Sequence, residues 1–270
     1  MADQGGGEQE TAATPPPVPP GTYCAPWGDM AWWDGQQWTQ LPSPPAPRYR
    51  PVVALSRWVQ RLFVVVIVLR GVNLLDWAAS YGDAADREIA RQTATNLLEG
   101  RDPAALALGG VNALASIALT VAFLVWRHRI QRNLRGALGA PGLIDTPAWA
   151  AGWFFVPIFN LWKPKQGMDD AWRASDPAVP AGSLAWKEVP KSPLVTQWWA
   201  VWMLSIVVAI DFRFSRSDLL LTAGEQRVLA VQHVVSLALG MLAAYLAIRL
   251  VGEITDRHRR RAEAFGISDA

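Results

Sequence analysis

The sequence predicts an all-α integral membrane protein with four transmembrane helices and a short re-entrant or interfacial Trp-Pro segment. A disordered N-terminus carrying a small β-hairpin precedes them. Three observations lead there. Of 270 residues, 51% are hydrophobic and 18% charged, against roughly 25% charged in a soluble domain, and mean hydropathy is +0.12. The apolar residues gather into long runs after residue 52. The charge is also uneven: net charge is +2, but residues 1–47 hold five acids and no Lys or Arg. The rest therefore sets 25 basic residues against 18 acids. A net charge this small argues against nucleic acid. The single cysteine, Cys24, excludes a disulfide framework, and the separated His128, His233 and His258 make no metal-ligand cluster.

Composition divides the chain at 1–22, 23–47, 48–258 and 259–270. Residues 1–22 are rich in Gly, Pro and Thr and have too little to bury to offset their ordering entropy. They have neither the basic start nor the apolar run of a signal peptide. The Pro15–Pro20 stretch reads as a stiff tether or a polyproline II ligand. Within 23–47, Trp27, Trp32, Trp33 and Trp38 fall inside twelve residues, and Asp34-Gly35 between apolar flanks is a hairpin signal. This element reads either as a docking element, for a cytoplasmic protein reached through residues 15–39 or for a lipid surface, or as a self-packed knob.

Spans are predicted at about 58–79, 104–126, 194–210 and 228–251, each near the roughly 20 residues a bilayer requires. A fifth run, 147–162, has Pro157 and Asn160 inside it and Lys163-Pro164 at its end, so length and breaker favour a re-entrant or interfacial segment. Charge sets the parity. Arg48, Arg50, Arg57 and Arg61 precede the first span, Arg127, Arg129, Arg132 and Arg135 follow the second, and Arg257, Arg259, Arg260 and Arg261 follow the last. Placing all three clusters in the cytoplasm requires an even number of spans. Both termini are then cytoplasmic, in a plasma membrane. The loop 83–100 reads as a helix with Ile89, Thr93 and Leu97 on one face, and 176–193 as irregular.

The run Phe123-Leu124-Val125-Trp126 leads into Arg132-Asn133 and is followed by Gly152-Trp153-Phe154-Phe155-Val156-Pro157-Ile158-Phe159-Asn160-Leu161-Trp162-Lys163-Pro164. With Trp172-Arg173-Ala174-Ser175 and Trp198-Trp199 it resembles domain of unknown function 4328, a family of actinobacterial multi-span membrane proteins. The resemblance covers about residues 58–258. It implies an integral protein of the cell membrane, with Trp153, Pro157, Asn160, Leu161, Pro164, Trp172, Trp198 and Trp199 as motif residues and no activity. Trp32-Trp33-Asp34-Gly35-Gln36-Gln37-Trp38-Thr39 is similar to the tail of domain of unknown function 2510.

Physically, Trp149, Trp153 and Trp162 suit the headgroup layer, and the backbone freed by Pro157 needs a donor that Asn160 is placed to supply. The segment reads as a pore-lining element or as a wedge closing the bundle. Ionisable residues inside a bilayer are expensive and point to function by default. Arg70, Asn73, Asp76, Asn112, Asp211 and His233 all fall in one half of the predicted membrane. They form either a vestibule for a small anion or lipid headgroup around Arg70, or an ion pair with Asp76 or Asp211 that only fixes helix rotation, or else Arg70 snorkels to the surface. Ser236, Gly240 and Ala244, like Ala105, Gly109 and Ala113, have the spacing that lets helices approach closely, within the bundle or in a homodimer.

No phosphate loop, dinucleotide fingerprint, nucleophile elbow or zinc helix occurs, and Asp169-Asp170 reads as a solvated helix start. No cofactor is called for. The leading expectation is a non-enzymatic membrane scaffold or adaptor with the lipid bilayer and a cytoplasmic protein as partners. A small transporter or sensor, and a lipid-modifying enzyme, are the alternatives.

Overall fold

The computed structural model describes residues 18–24, 30–40, 48–82, 103–215 and 223–268 and divides into two compact units, Met1–Ala46 and Pro47–Ala270. The helix expected at 83–100 and the first half of the proline stretch, residues 15–17, lie outside the described residues.

The small unit is a three-stranded antiparallel sheet in the order β1 (Gly21–Cys24), β2 (Met30–Trp33), β3 (Trp38–Gln40). The predicted hairpin is β2–β3. Its loop forms because Gly35 takes φ 102° and the Asp34 carboxylate accepts the backbone N–H groups of Gln36 and Gln37, both at 2.7 Å. Those two bonds, Gln37 first, hold the Asp34 carboxyl below its usual pKa. Trp33 and Trp38 face each other with ring centroids 5.1 Å apart. The first strand straddles the compositional boundary at 22/23. It adds because Trp33 Nε1 donates to Val18 O and Tyr23 OH to Pro19 O, ties that a reading of turn signals does not register.

The larger unit contains α1 (Val53–Gly82), α2 (Pro103–Arg135), α3 (Pro147–Gly152), α4 (Lys163–Ala174), α5 (Pro193–Ser215) and α6 (Ala223–Ala264). Three stretches are long and apolar enough to cross a membrane: Val53–Leu75, Leu106–Arg135 and Val231–Ala264. The apolar part of α5 among the described residues, Pro193–Ala209, is shorter. Run 147–162 is not one helix. It is α3, a 3₁₀ turn at Trp153–Phe155, a break at Val156–Ile158 and a second 3₁₀ turn at Phe159–Leu161. Pro164 lies in the first turn of α4, where its missing N–H has no helical partner to lose. Lys163-Pro164 therefore opens a helix as well as ending the apolar run. The 176–193 loop holds turns and one 3₁₀ helix, Leu184–Glu188.

α6 packs on both α1 and α5, and α1 packs on α2. Among the described residues the backbones of α2 and α5 do not approach closely, and Phe123 and Trp198 meet across the gap with ring centroids 6.5 Å apart, so the four long helices form an open arc. Their apolar midsections point outward: Leu114 is 69% exposed, and Val68, Ile117, Val207 and Leu242 are also exposed. The buried core lies instead at the end where the three basic clusters meet, around Trp126, Ile130, Leu134, Met168, Trp198, Leu250 and Ile254.

That basic end is tied by buried polar side chains. Asn133 on α2 accepts from the Arg50 backbone N–H at 3.0 Å and donates to the Arg50 carbonyl at 2.8 Å, which fixes the orientation of its amide. Its Nδ2 also lies 3.2 Å from His258 Nε2 on α6. Nε2 is therefore the acceptor, and Nδ1 carries the proton towards Ser175 Oγ at 3.3 Å. Tyr49 stacks on the ring at 5.8 Å. Arg261, read from the sequence as part of a cytoplasmic basic cluster, is buried and donates to the carbonyls of Ala174 and Leu138. Arg127 is also buried, on Gly167 O at 2.8 Å and Gln131 Oε1 at 3.0 Å. The second and third basic clusters thus each lose one arginine to the interior, while Arg48, Arg50, Arg57 and Arg61 of the first are all exposed.

α6 has 42 residues, about 63 Å of helix against a hydrocarbon core of about 30 Å. Its charged turns beyond Val251 therefore lie past the apolar stretch, and His258 with them. Burial first, and the Arg261 charge second, push the His258 pKa down to about 3. The folded chain keeps this imidazole neutral where the unfolded chain protonates it, so stability is full above about pH 6.5 and falls as pH drops towards 3. Thermal unfolding in detergent from pH 7 to 4 is expected to show that loss, at up to about 1.4 kcal/mol per pH unit from this group. His258→Gln is expected to give a shallower slope.

Candidate functional site

A cavity of about 720 Å³ lies inside the arc, lined by all four long helices and by the broken segment. At its floor, nearest the basic end, Phe63, Phe123, Phe154, Trp198 and Trp202 pack together. Phe123 meets Phe154 at 5.6 Å and Phe63 at 6.3 Å, and Trp198 stacks on Trp202 at 5.9 Å and 8°. Towards the other end stand Arg70 and Asn73 of α1 and Asn112 of α2. At about 1.5 Å per residue, Arg70 lies about 10 Å along α1 from Phe63, and Asn112 about 16 Å along α2 from Phe123. The site is a slot with a cation and amides at one end and aromatic rings at the other.

Three of the six predicted polar residues, Arg70, Asn73 and Asn112, are thus brought to one wall. His233 is partly buried on α6 and is not part of that wall. The side chains of Asp76 and Asp211 lie outside the described residues, and no ion pair holds Arg70 among those described. Arg70 has another accommodation. A Cβ on Gly240 of α6 would collide with its Nη1, and no other side chain comes as near that point. The Ser236-Gly240-Ala244 stripe therefore lines the cavity and seats a guanidinium, where spacing alone suggested close helix contact. Gly109 has open space around it.

The polar lining uses its donors locally. Asn73 Nδ2 donates to Leu69 O, Asn112 Nδ2 to Leu108 O, Thr120 Oγ1 to Ser116 O and Ser205 Oγ to Trp202 O, at 2.7–3.2 Å. Each hydroxyl is left with acceptor capacity only. The serines, Thr120 and the aromatic floor escape a search for ionisable residues, because Ser and Thr at helical spacing carry no distinctive signal. Phe123 and Phe154 belong to the quoted family run.

Of the motif residues, Asn160 and Trp198 line the cavity. Asn160 does not use its side chain on the backbone near Pro157: its main-chain N–H donates to Val156 O at 2.9 Å. Its Oδ1 is buried with no hydrogen-bond partner among the described residues. The turn that places it is strained. Ile158 has φ 68° and ψ −58°, and the Phe159 N–H bonds the Pro157 carbonyl at 2.8 Å, closing a γ-turn of the positive-φ kind on a β-branched residue. Trp153 holds the segment from behind, with Nε1 on Asp145 Oδ1 at 2.9 Å and its ring 4.4 Å from Trp149 and 5.3 Å from Phe159. Leu161 is exposed and Pro164 buried. Trp172 lies under the Arg257 guanidinium at 4.4 Å, and Trp199 packs on Trp202 at 4.9 Å.

Below the floor, Asp169 and Asp170 sit inside α4, not at a solvated helix start. Asp169 is buried and pairs with Lys165 at 2.9 Å. Burial raises the Asp170 pKa, and Arg127 and Arg173 oppose it. A Cβ on Gly167 would come within 2.9 Å of Arg127 Nη2, so this glycine makes the contact possible. Among the described residues no group of His, Cys, Asp and Glu is arranged to hold a metal ion.

A family profile described as "Domain of unknown function (DUF4328)" matches residues 90–256, more than half of the chain. The matched segment begins later than the resemblance read from the sequence. It takes in Asn112, Asn160 and Trp198 but not Arg70. No curated protein and no solved structure matches the chain.

Ile158→Gly is expected to stabilise the protein by about 1 kcal/mol. Relief of positive-φ strain is worth roughly 1–3 kcal/mol, against about 0.5–1 for the added freedom of glycine in the unfolded chain. Comparison of thermal midpoints in detergent checks this.

Proposed function

The chain belongs to the DUF4328 family, and from that footing we propose that it is a multi-span membrane protein whose bundle holds an anionic amphiphile, as a carrier or sensor. The observation that carries this reading is a guanidinium set into a cavity otherwise walled by rings, aliphatic groups, amides and hydroxyls. Arg70 is half-buried with no ion-pair partner among the described residues; a cation so placed is unfavourable, and an anionic head would supply a partner. The apolar lower half suits the tail, and the α2–α5 side, without close packing, gives access from the bilayer. In this proposal α1, α2, α5 and α6 all span the plasma membrane of a bacterial cell, segment 147–162 dips in and returns, and both termini are cytoplasmic.

The test is competition for the full chain in detergent, read by native mass spectrometry. Decanoate is expected to bind at least about tenfold more tightly than decanol, and Arg70→Gln to remove that preference. Equal binding of the two by the wild type would sink the proposal. Topology is checked by labelling on a Cys24→Ser background with single cysteines at Ser80, Ser175, Ser217 and Ser268. Labelling from outside only at 80 and 217 is the expected pattern. Outside labelling at 268 would show that 147–162 crosses.

One observation favours a second reading. Trp32 is 42% exposed on the sheet of the small unit, which suits a docking surface and a scaffold or adaptor role. In that role decanoate gains nothing from Arg70.

A further inference from the structure

Resting on the cavity reading above, we infer that the amphiphile carries a hydrogen-bond donor, an O–H or N–H, at the end opposite its anionic head, and that Asn160 reads it. Two independent observations meet at this residue. Its Oδ1 is buried beside the aromatic floor with no partner among the described residues, and a buried acceptor left unmatched is costly. The residue is also delivered there by the strained Ile158 turn, a conformation that persists only where surrounding structure enforces it. Trp153, anchored on Asp145, supplies that enforcement.

The rest of the lining points the same way. Thr120 and Ser205 spend their hydroxyl protons on carbonyls of their own helices and so offer acceptors to an occupant. A plain alkyl tail would seal Asn160 Oδ1 under hydrocarbon and leave it unsatisfied. A tail ending in a hydroxyl or amide would satisfy it, and sites of this type discriminate strongly against analogues lacking the donor. Asn160 is thus a specificity residue at the floor, and Arg70 holds the head.

Equimolar decanoate and its ω-hydroxy derivative, competing for the full chain in detergent, separate the two ideas. The wild type is expected to favour the hydroxy acid by about three- to tenfold. Asn160→Leu is expected to erase or invert that ratio, and Arg70→Gln to weaken both ligands alike. Equal wild-type occupancy by the two acids, with Arg70 still required, overturns the role of Asn160 and leaves the anionic cavity standing. Loss of Arg70 dependence overturns the cavity reading and this inference with it. Should Asn160→Leu fail to fold, the wild-type ratio decides alone.

Discussion

The larger unit depends on one amide. Asn133 holds the backbone of Arg50 through both its N–H and its carbonyl, and through His258 it reaches α6 and Ser175. Four segments distant in sequence are thereby set in register by a side chain that is 1% exposed. Apolar packing alone would leave helix rotation and sliding nearly free, because lipid competes for the same faces. Directional bonds in a buried place do not slide, and they specify a single arrangement when every member is satisfied. Arg127 and Arg261 repeat the device on either side, each capping main-chain carbonyls.

This explains how a cavity persists in the middle of a bundle. The arc is held at the basic end, so the midsections of α1, α2, α5 and α6 need not close on one another to be stable. Space remains there, and what fills its wall is chemically mixed: Arg70 over Gly240, amides bonded to their own helices, then a floor of rings. The broken segment 147–162 completes the floor. Its shape follows from Pro157, which no helix interior accommodates without a lost bond, and from the aromatic series Trp149, Trp153, Phe159 and Trp162 that packs ring on ring along it.

Much of the helical plan is legible in the sequence, because hydrophobic run length and Pro placement act locally. The runs at 58–79, 104–126, 194–210 and 228–251 lie within α1, α2, α5 and α6, and Asp34-Gly35 marks the β2–β3 loop. Arg70, Asn73 and Asn112 are conspicuous because ionisable and amide groups are rare in apolar runs. What is not legible is long-range. Nothing near Asn133 or His258 in the sequence announces a partner 125 residues away. The arginines after the predicted spans 104–126 and 228–251 read as a topology signal, although they lie within α2 and α6 and the burial of Arg127 and Arg261 comes from carbonyls contributed by other segments. Asp169 and Asp170 read as solvated for the same reason: their cationic neighbours are fixed by the fold.

A bundle gripped at one end behaves as a set of cantilevers. The roots of α1, α2 and α6 lie in the tightly packed polar core, and their far halves extend with outward-facing apolar surfaces and few buried contacts. A tilt of a few degrees at a root moves a tip by ångströms, so the slot can widen or narrow without repacking the clamp. The elastic constant of that motion belongs partly to the bilayer, whose lateral pressure presses on the free halves. The width of the space around Arg70 is therefore set far from the clamp, a consequence of where the core sits.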